Sequence, residues 1–168
     1  MKRITSVILA IALIFALAVT AMAAEIADCT VSADSVSATA GGTVTVPIRI
    51  SGNRGFTNFG IALDYDREQL ELLSIQTAEG ETPYLCGTTV AVNTQWTGTD
   101  EKTFGYVTAA LEEAATADGI LFTATFRVSG DFSGTAAVQP VVQYMRSNKR
   151  LLSVFDAIPV TTVSGTVS

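Results

Sequence analysis

The strongest constraint on this chain is a repeated period of two. In "TVTVPIRIS", Val44, Val46, Ile48 and Ile50 fall on one side and Thr43, Thr45, Pro47 and Arg49 on the other. Only an extended strand puts every second side chain on one face; on a helix the same residues would scatter around the axis. The pattern returns in "FTNFGIALDYD", where Phe59, Ile61, Leu63 and Tyr65 oppose Asn58, Gly60, Ala62 and Asp64. Further strands read from "DCTVSA", "LELLSI", "TTVAVNTQW", "TFGYVTAAL", "GILFTATFRV", "GTAAVQPVVQYM" and "IPVTTVSGTV". Nine short strands separated by turn signals predict an all-β fold, an antiparallel β-sandwich. Pro47 points to an edge strand or a bulge. "DREQ" reads as one helical turn between two strands, and "LEEAATADG" has room for a short helix near residues 111–117, stopped by Gly119.

The sandwich does not use the whole chain. "MKRITSVILAIALIFALAVTAMAAE" sets Lys2 and Arg3 before an apolar run from Val7 to about Val19, then Ala21-Met22-Ala23. That is the layout of a secretory signal peptide, residues 1–23, cut after Ala23. A membrane anchor needs about 20 continuous apolar residues and no cleavage pattern. A lipoprotein reading at Cys29 fails because Asp28 precedes the cysteine and Cys29 lies well beyond the apolar run. Residues 24–168 are then one exported domain, secreted or extracellular, with nothing that calls for a membrane after cleavage. Its 16 acidic residues face 8 basic ones, so it is a poor partner for nucleic acid, where phosphate neutralisation dominates affinity. The basic group Arg146, Lys149 and Arg150 reads as a solvated loop. The chain has no histidine, which excludes imidazole-based triads and His-ligated metals. Export makes a disulfide between Cys29 and Cys86 possible; nothing in the sequence brings them together, and free thiols are the expectation.

Three stretches, in order, resemble the cohesin modules of bacterial cellulosomes. "SATAGGTVTVPIRIS" is similar to the cohesin opening, a Gly-rich turn leading into an alternating strand with Val-Pro. "FTNFGIALDYDREQLELLSI" resembles the pattern of an asparagine, an alternating strand, Tyr-Asp, a one-turn connector and Leu-Glu followed by aliphatics. "TADGILFTATFRV" resembles the family's Asp-Gly and alternating-strand signature. With the closing "SGTV" the likeness runs from about Thr30 to Ser168, while "EGETPYLCGTTVAVNTQWTGTDEK" and "VVQYMRSNKRLLSVFD" match no family pattern. The resemblance implies a nine-stranded jelly-roll sandwich, without catalysis or cofactor, that binds a dockerin of a secreted polysaccharide-degrading enzyme across one flat face. The calcium ions belong to the dockerin, and no metal site is expected in this chain. It implies contacts at Asn58, Ala109, Leu111 and Glu112; Gly60 stands where many members have aspartate, which leaves partner specificity open.

The residues themselves also suggest a docking face. Asn58, Gly60, Ala62 and Asp64 make a small, nearly flat row. In "TFGYVTAAL" one row is Phe104, Tyr106, Thr108 and Ala110 and the other Gly105, Val107, Ala109 and Leu111. If the aromatic row is core, Val107, Ala109 and Leu111 form an outer apolar strip ending at Glu112 and Glu113, the character of a helix-binding surface. Trp96 is a further candidate contact. In "TADGILFTATFRV" the expectation is scaffold: Ile120, Phe122, Ala124, Phe126 and Val128 between the sheets, Thr123 and Thr125 outward.

Two other functions fit parts of the sequence. A carbohydrate-binding module would stack sugars on aromatics, with Trp96, Tyr84 and more distantly Tyr144 as candidates. A glycosidase needs two carboxylates about 5 to 9 Å apart. Glu112 and Glu113 are adjacent and point apart on a strand, and Asp64 and Asp66 sit at the Tyr-Asp position that resembles a structural turn.

Overall fold

The computed structural model describes residues 29–87, 89–148 and 155–168. The expected signal peptide, and Lys149 and Arg150 of the basic group, lie outside the described residues. The chain forms β1 (Cys29–Ala33), β2 (Thr43–Ser51), β3 (Phe56–Tyr65), β4 (Leu70–Gln76), β5 (Ala78–Glu79), β6 (Thr82–Pro83) and β7 (Val90–Thr97). It continues through β8 (Thr103–Ala115), β9 (Gly119–Val128), β10 (Ala136–Asn148), β11 (Phe155–Ala157), β12 (Val160–Val163) and β13 (Gly165–Val167). All nine expected strands are present. The ninth divides into β12 and β13, and the small β5–β6 hairpin and β11 are additions.

Two sheets make the sandwich: β12-β1-β2-β9-β4, and β11-β10-β3-β8-β7 with β13 also on β10. Most connections cross from one sheet to the other, as a jelly roll requires. Pairing is antiparallel except between β1 and β12, which run parallel, as does the single bridge Val36 to Val167. β2 is an interior strand; Pro47 sits beside a register irregularity at Ile48/Arg49, the bulge alternative of the two expected for it.

Between the sheets the alternation becomes burial. Val44, Val46, Ile48 and Ile50 of β2 meet Phe59, Ile61, Leu63 and Tyr65 of β3 in a single core. Each fully buried large side chain contributes roughly 1.5 to 3 kcal/mol relative to exposure. Tyr65 stands edge-on to Phe126 at 5.0 Å and to Phe104 at 5.7 Å, tying both sheets together. Cys29 and Cys86 are buried free thiols, and Cys86 donates to the Leu121 carbonyl at 2.9 Å. Burial pushes the Cys29 thiol up and the Cys86 thiol to about 11.

The helix expected at 111–117 does not form. Leu111 to Ala115 extend β8, with Ala115 paired to Phe56, and the Asn53 side-chain amide donates to the carbonyls of Ala115 (3.0 Å) and Ala117 (2.7 Å). Local Glu and Ala propensity is overridden by these tertiary bonds. The Asp66 turn is a single helical turn, closed by Leu70 N to Asp66 O at 2.9 Å. At "TADGILFTATFRV", Phe122, Ala124, Phe126 and Val128 are core as expected, and Leu121 is buried where Ile120 was expected to be. The register irregularity at Ile48/Arg49 pairs Ile120 with outward Arg49 and leaves Leu121 as the extra, inward residue. Asp118 accepts from the amides of Asn53 (2.9 Å) and Gly52 (3.3 Å), fastening the β2–β3 loop to the start of β9.

Candidate functional site: the outer face of the second sheet

The alternation of β8 reverses at one residue. Gly105 has φ of +63° and is the extra residue between the pairs Ala62–Tyr106 and Leu63–Phe104, so it is a β-bulge. Phe104 therefore points into the core, and two residues later Tyr106 points out. Past the bulge the inward residues are Val107, fully buried, and Ala109, 3% exposed. The outer apolar strip expected at Val107, Ala109 and Leu111 is thus corrected: Val107 and Ala109 are core, and Leu111 packs against it. The residues turned outward are Tyr106, Thr108 and Ala110. Glu112 and Glu113 are exposed at the far end of β8.

β3 places its small row as the sequence suggested. Asn58, Gly60 and Ala62 face away from the core and lie between β8 and β10 in register: Asn58 between Ala110 and Arg146, Gly60 between Thr108 and Tyr144, Ala62 between Tyr106 and Val141. The row is a floor, not an open surface, since Gly60 and Ala62 are both buried. The rings of Tyr106 and Tyr144 cover Gly60; a Cβ there would come within 2.6 Å of Tyr144 Cε1 and overlap the Tyr106 hydroxyl. A second bulge, between Val142 and Tyr144, is what turns Tyr144 outward while Val142 and Met145 stay inward.

The aromatic layer is held by hydrogen bonds. Thr108 Oγ1 donates to the Phe59 carbonyl at 3.0 Å and lies 2.7 Å from Tyr144 Oη. Trp96, near the end of β7, sits 5.2 Å from Tyr106 with ring planes tilted by 34°. The Arg146 guanidinium lies 5.1 Å from the Tyr144 ring centre, within cation–π range. Burial and then the neighbouring Tyr144 phenol push the Tyr106 hydroxyl up, so it stays protonated at neutral pH. Asn58 Oδ1 is buried and accepts no hydrogen bond among the described residues. An acceptor left in that state costs about 1 to 3 kcal/mol.

Thus Asn58, Gly60, Ala62 and Trp96 share one face, Glu112 lies at the end of β8, and Val107, Ala109 and Leu111 belong on the inner side. The sequence reading missed the outward roles of Tyr106 and Thr108, and it weighed Tyr144 only for sugar. Glycine between two aromatics of a strand was the available signal, since it commonly marks a bulge. The proposed sugar-stacking set does not assemble, because Tyr84 packs against the core. Of the acidic pairs, Asp66 is engaged in its own turn: the Gln69 amide (2.8 Å) and the Glu68 N–H (2.9 Å) hold its carboxyl below the usual range. Among the described residues, no group of three or more His, Cys, Asp or Glu side chains could hold a metal.

The fold has close counterparts. The seventh ScaB type I cohesin of Pseudobacteroides cellulosolvens superposes with a TM-score of 0.66 at 21% identity, covering 84% of this chain and 92% of that one. The cohesin of a type I cohesin–dockerin complex from Clostridium thermocellum gives 0.63 at 15% identity, over 84% and 99%. A non-cellulosomal cohesin of the archaeon Archaeoglobus fulgidus gives 0.62 at 20% identity, over 84% and 90%. No curated protein sequence matches the chain. The family model described as the cohesin domain matches residues 29–167, nearly all of the sandwich, and the chain belongs to the cohesin family.

Proposed function

We propose that this chain is an exported cohesin that binds the dockerin of a secreted polysaccharide-degrading enzyme or scaffold protein, as part of a cellulosome-type assembly. The observation that carries the reading is the outer face of β10-β3-β8-β7, where half-buried aromatics cover a floor of small residues beside the unpaired Asn58 Oδ1. Similar cohesins are known in complex with dockerins, among them one from Acetivibrio cellulolyticus with a Cel5 dockerin. The contact set we assign is Asn58, Trp96, Tyr106, Thr108, Ala110 and Tyr144, laid over the floor of Gly60 and Ala62, with Glu112 at the rim. Residues 1–23 are the export signal and 24–168 the mature domain. Cohesins are non-catalytic binding domains, those of cellulosomal scaffoldins are extracellular, and we assign this chain no catalytic role, no cofactor and no nucleic-acid partner. Calcium enters with the dockerin.

The test is calorimetric titration of the mature domain with dockerins from the genome that encodes it, with calcium and with chelator. Binding in calcium that vanishes in chelator, while the melting temperature of the isolated domain stays put, is the expected result. Failure of every dockerin to bind contradicts the proposal. A second reading, carbohydrate binding, draws on the proximity of Trp96 and Tyr106 on this face. Retention on insoluble cellulose that disappears with Trp96→Ala would favour it.

A further inference from the structure

Resting on the dockerin reading of this face, we propose that Tyr144 determines which dockerin the face accepts, by selecting a partner that lays an apolar side chain across Trp96, Tyr106 and Tyr144. Three observations converge on it. Gly60 leaves a gap in the sheet surface that the Tyr106 and Tyr144 rings fill, so no partner side chain reaches the floor there and contact must be made with the rings. The Tyr144 ring is fixed before any partner arrives, through Thr108 at 2.7 Å and, behind it, the Phe59 carbonyl at 3.0 Å. A rigid aromatic surface costs little entropy on binding and gives large apolar contact. Beside it, Arg146, in register with Asn58 on the neighbouring strand and exposed, places positive charge at the edge of the rings, which disfavours a cationic partner residue there. The partner therefore presents an apolar residue to the rings, with no cation beside it.

The experiment ranks the affinities of a panel of purified dockerins for the native domain and for Tyr144→Ala, Tyr144→Phe and Gly60→Ala, with melting temperatures taken in parallel. Tyr144→Ala should weaken the preferred dockerin by at least about tenfold and reorder the panel. Gly60→Ala, whose methyl displaces the Tyr144 ring together with Tyr106, should reorder it too. Tyr144→Phe keeps the ring and should keep the order. An unchanged order in both Tyr144→Ala and Gly60→Ala overturns the selection by Tyr144, while dockerin binding by the native domain leaves the broader reading standing. Where Tyr144→Ala fails to fold, Tyr144→Leu, which removes the ring and keeps an apolar side chain, takes its place. A native domain that binds no dockerin overturns both.

Discussion

The two outer faces of the sandwich are built from the same period-two strands, yet they are different surfaces. On the first sheet, β2 and β9 present Thr45 and Thr125, hydroxyl to hydroxyl at 3.0 Å, flanked by Arg49 with Asp34 (2.8 Å) and Arg127 with Glu71 (3.0 Å). These are β-branched and charged side chains in water, and the ion pairs Arg49–Asp34 and Arg127–Glu71 lie there. On the second sheet the strands present Trp96, Tyr106 and Tyr144 over Gly60 and Ala62, with one buried acceptor unpaired. The first face pairs these side chains with one another. The second carries half-buried aromatic area over a buried acceptor with no protein partner, and two bulges, at Gly105 and at Gln143, aim Tyr106 and Tyr144.

The sharpest way to break this comparison is to test which side of β8 faces in. Ala109→Arg would bury an unpaired guanidinium in the core and should cost more than about 4 kcal/mol, leaving the domain unfolded in circular dichroism. A soluble variant with native melting would return Ala109 to the surface. Alkaline titration comes next. The Cys86 thiol, at about 11 in the fold and about 9 when unfolded, resists ionisation in the native state. Its contribution is fully present below pH 9 and is lost as pH rises to 11, about 3 kcal/mol in all. The raised Tyr65 and Tyr106 act with the same sign at higher pH. Chemical denaturation that shows equal stability at pH 8.5 and 11 would contradict the burial of these groups. Gly105→Ala, at positive φ and with its Cβ 2.6 Å from Leu72 Cδ2, should cost about 1 to 3 kcal/mol by denaturant midpoint; no loss would mean that the bulge is not needed to reverse the faces. The smallest effect belongs to the first sheet: Arg127→Ala breaks an exposed ion pair and should change stability by less than about 1 kcal/mol, with no change in dockerin affinity.

The strands were legible in the sequence because one face of each is buried and the alternation records it. β2 and β3 read correctly residue by residue, and Asn58, Gly60 and Ala62 were placed on the right side. β8 read backwards beyond Phe104, because a single inserted residue inverts every later position while leaving the composition of both rows unchanged. Tyr144 joined the site only through register, since nothing local in "VVQYM" ties it to Gly60, some eighty residues earlier in the chain. The acidic stretch after Ala110 looked helical because the Asn53 amide and the β3 pairing that extend it are distant in sequence.

On this proposal the partner docks on the second sheet and not the first. Ala110, exposed and paired with Asn58, and Thr45, exposed on β2, are equivalent sites on the two faces. The direct measurement is calorimetric titration of one calcium-loaded dockerin into Ala110→Arg and Thr45→Arg, both checked for native melting. Ala110→Arg should weaken binding by about 2 kcal/mol or more, and Thr45→Arg should bind as the native domain does. Native affinity in Ala110→Arg, or loss confined to Thr45→Arg, would contradict the proposal.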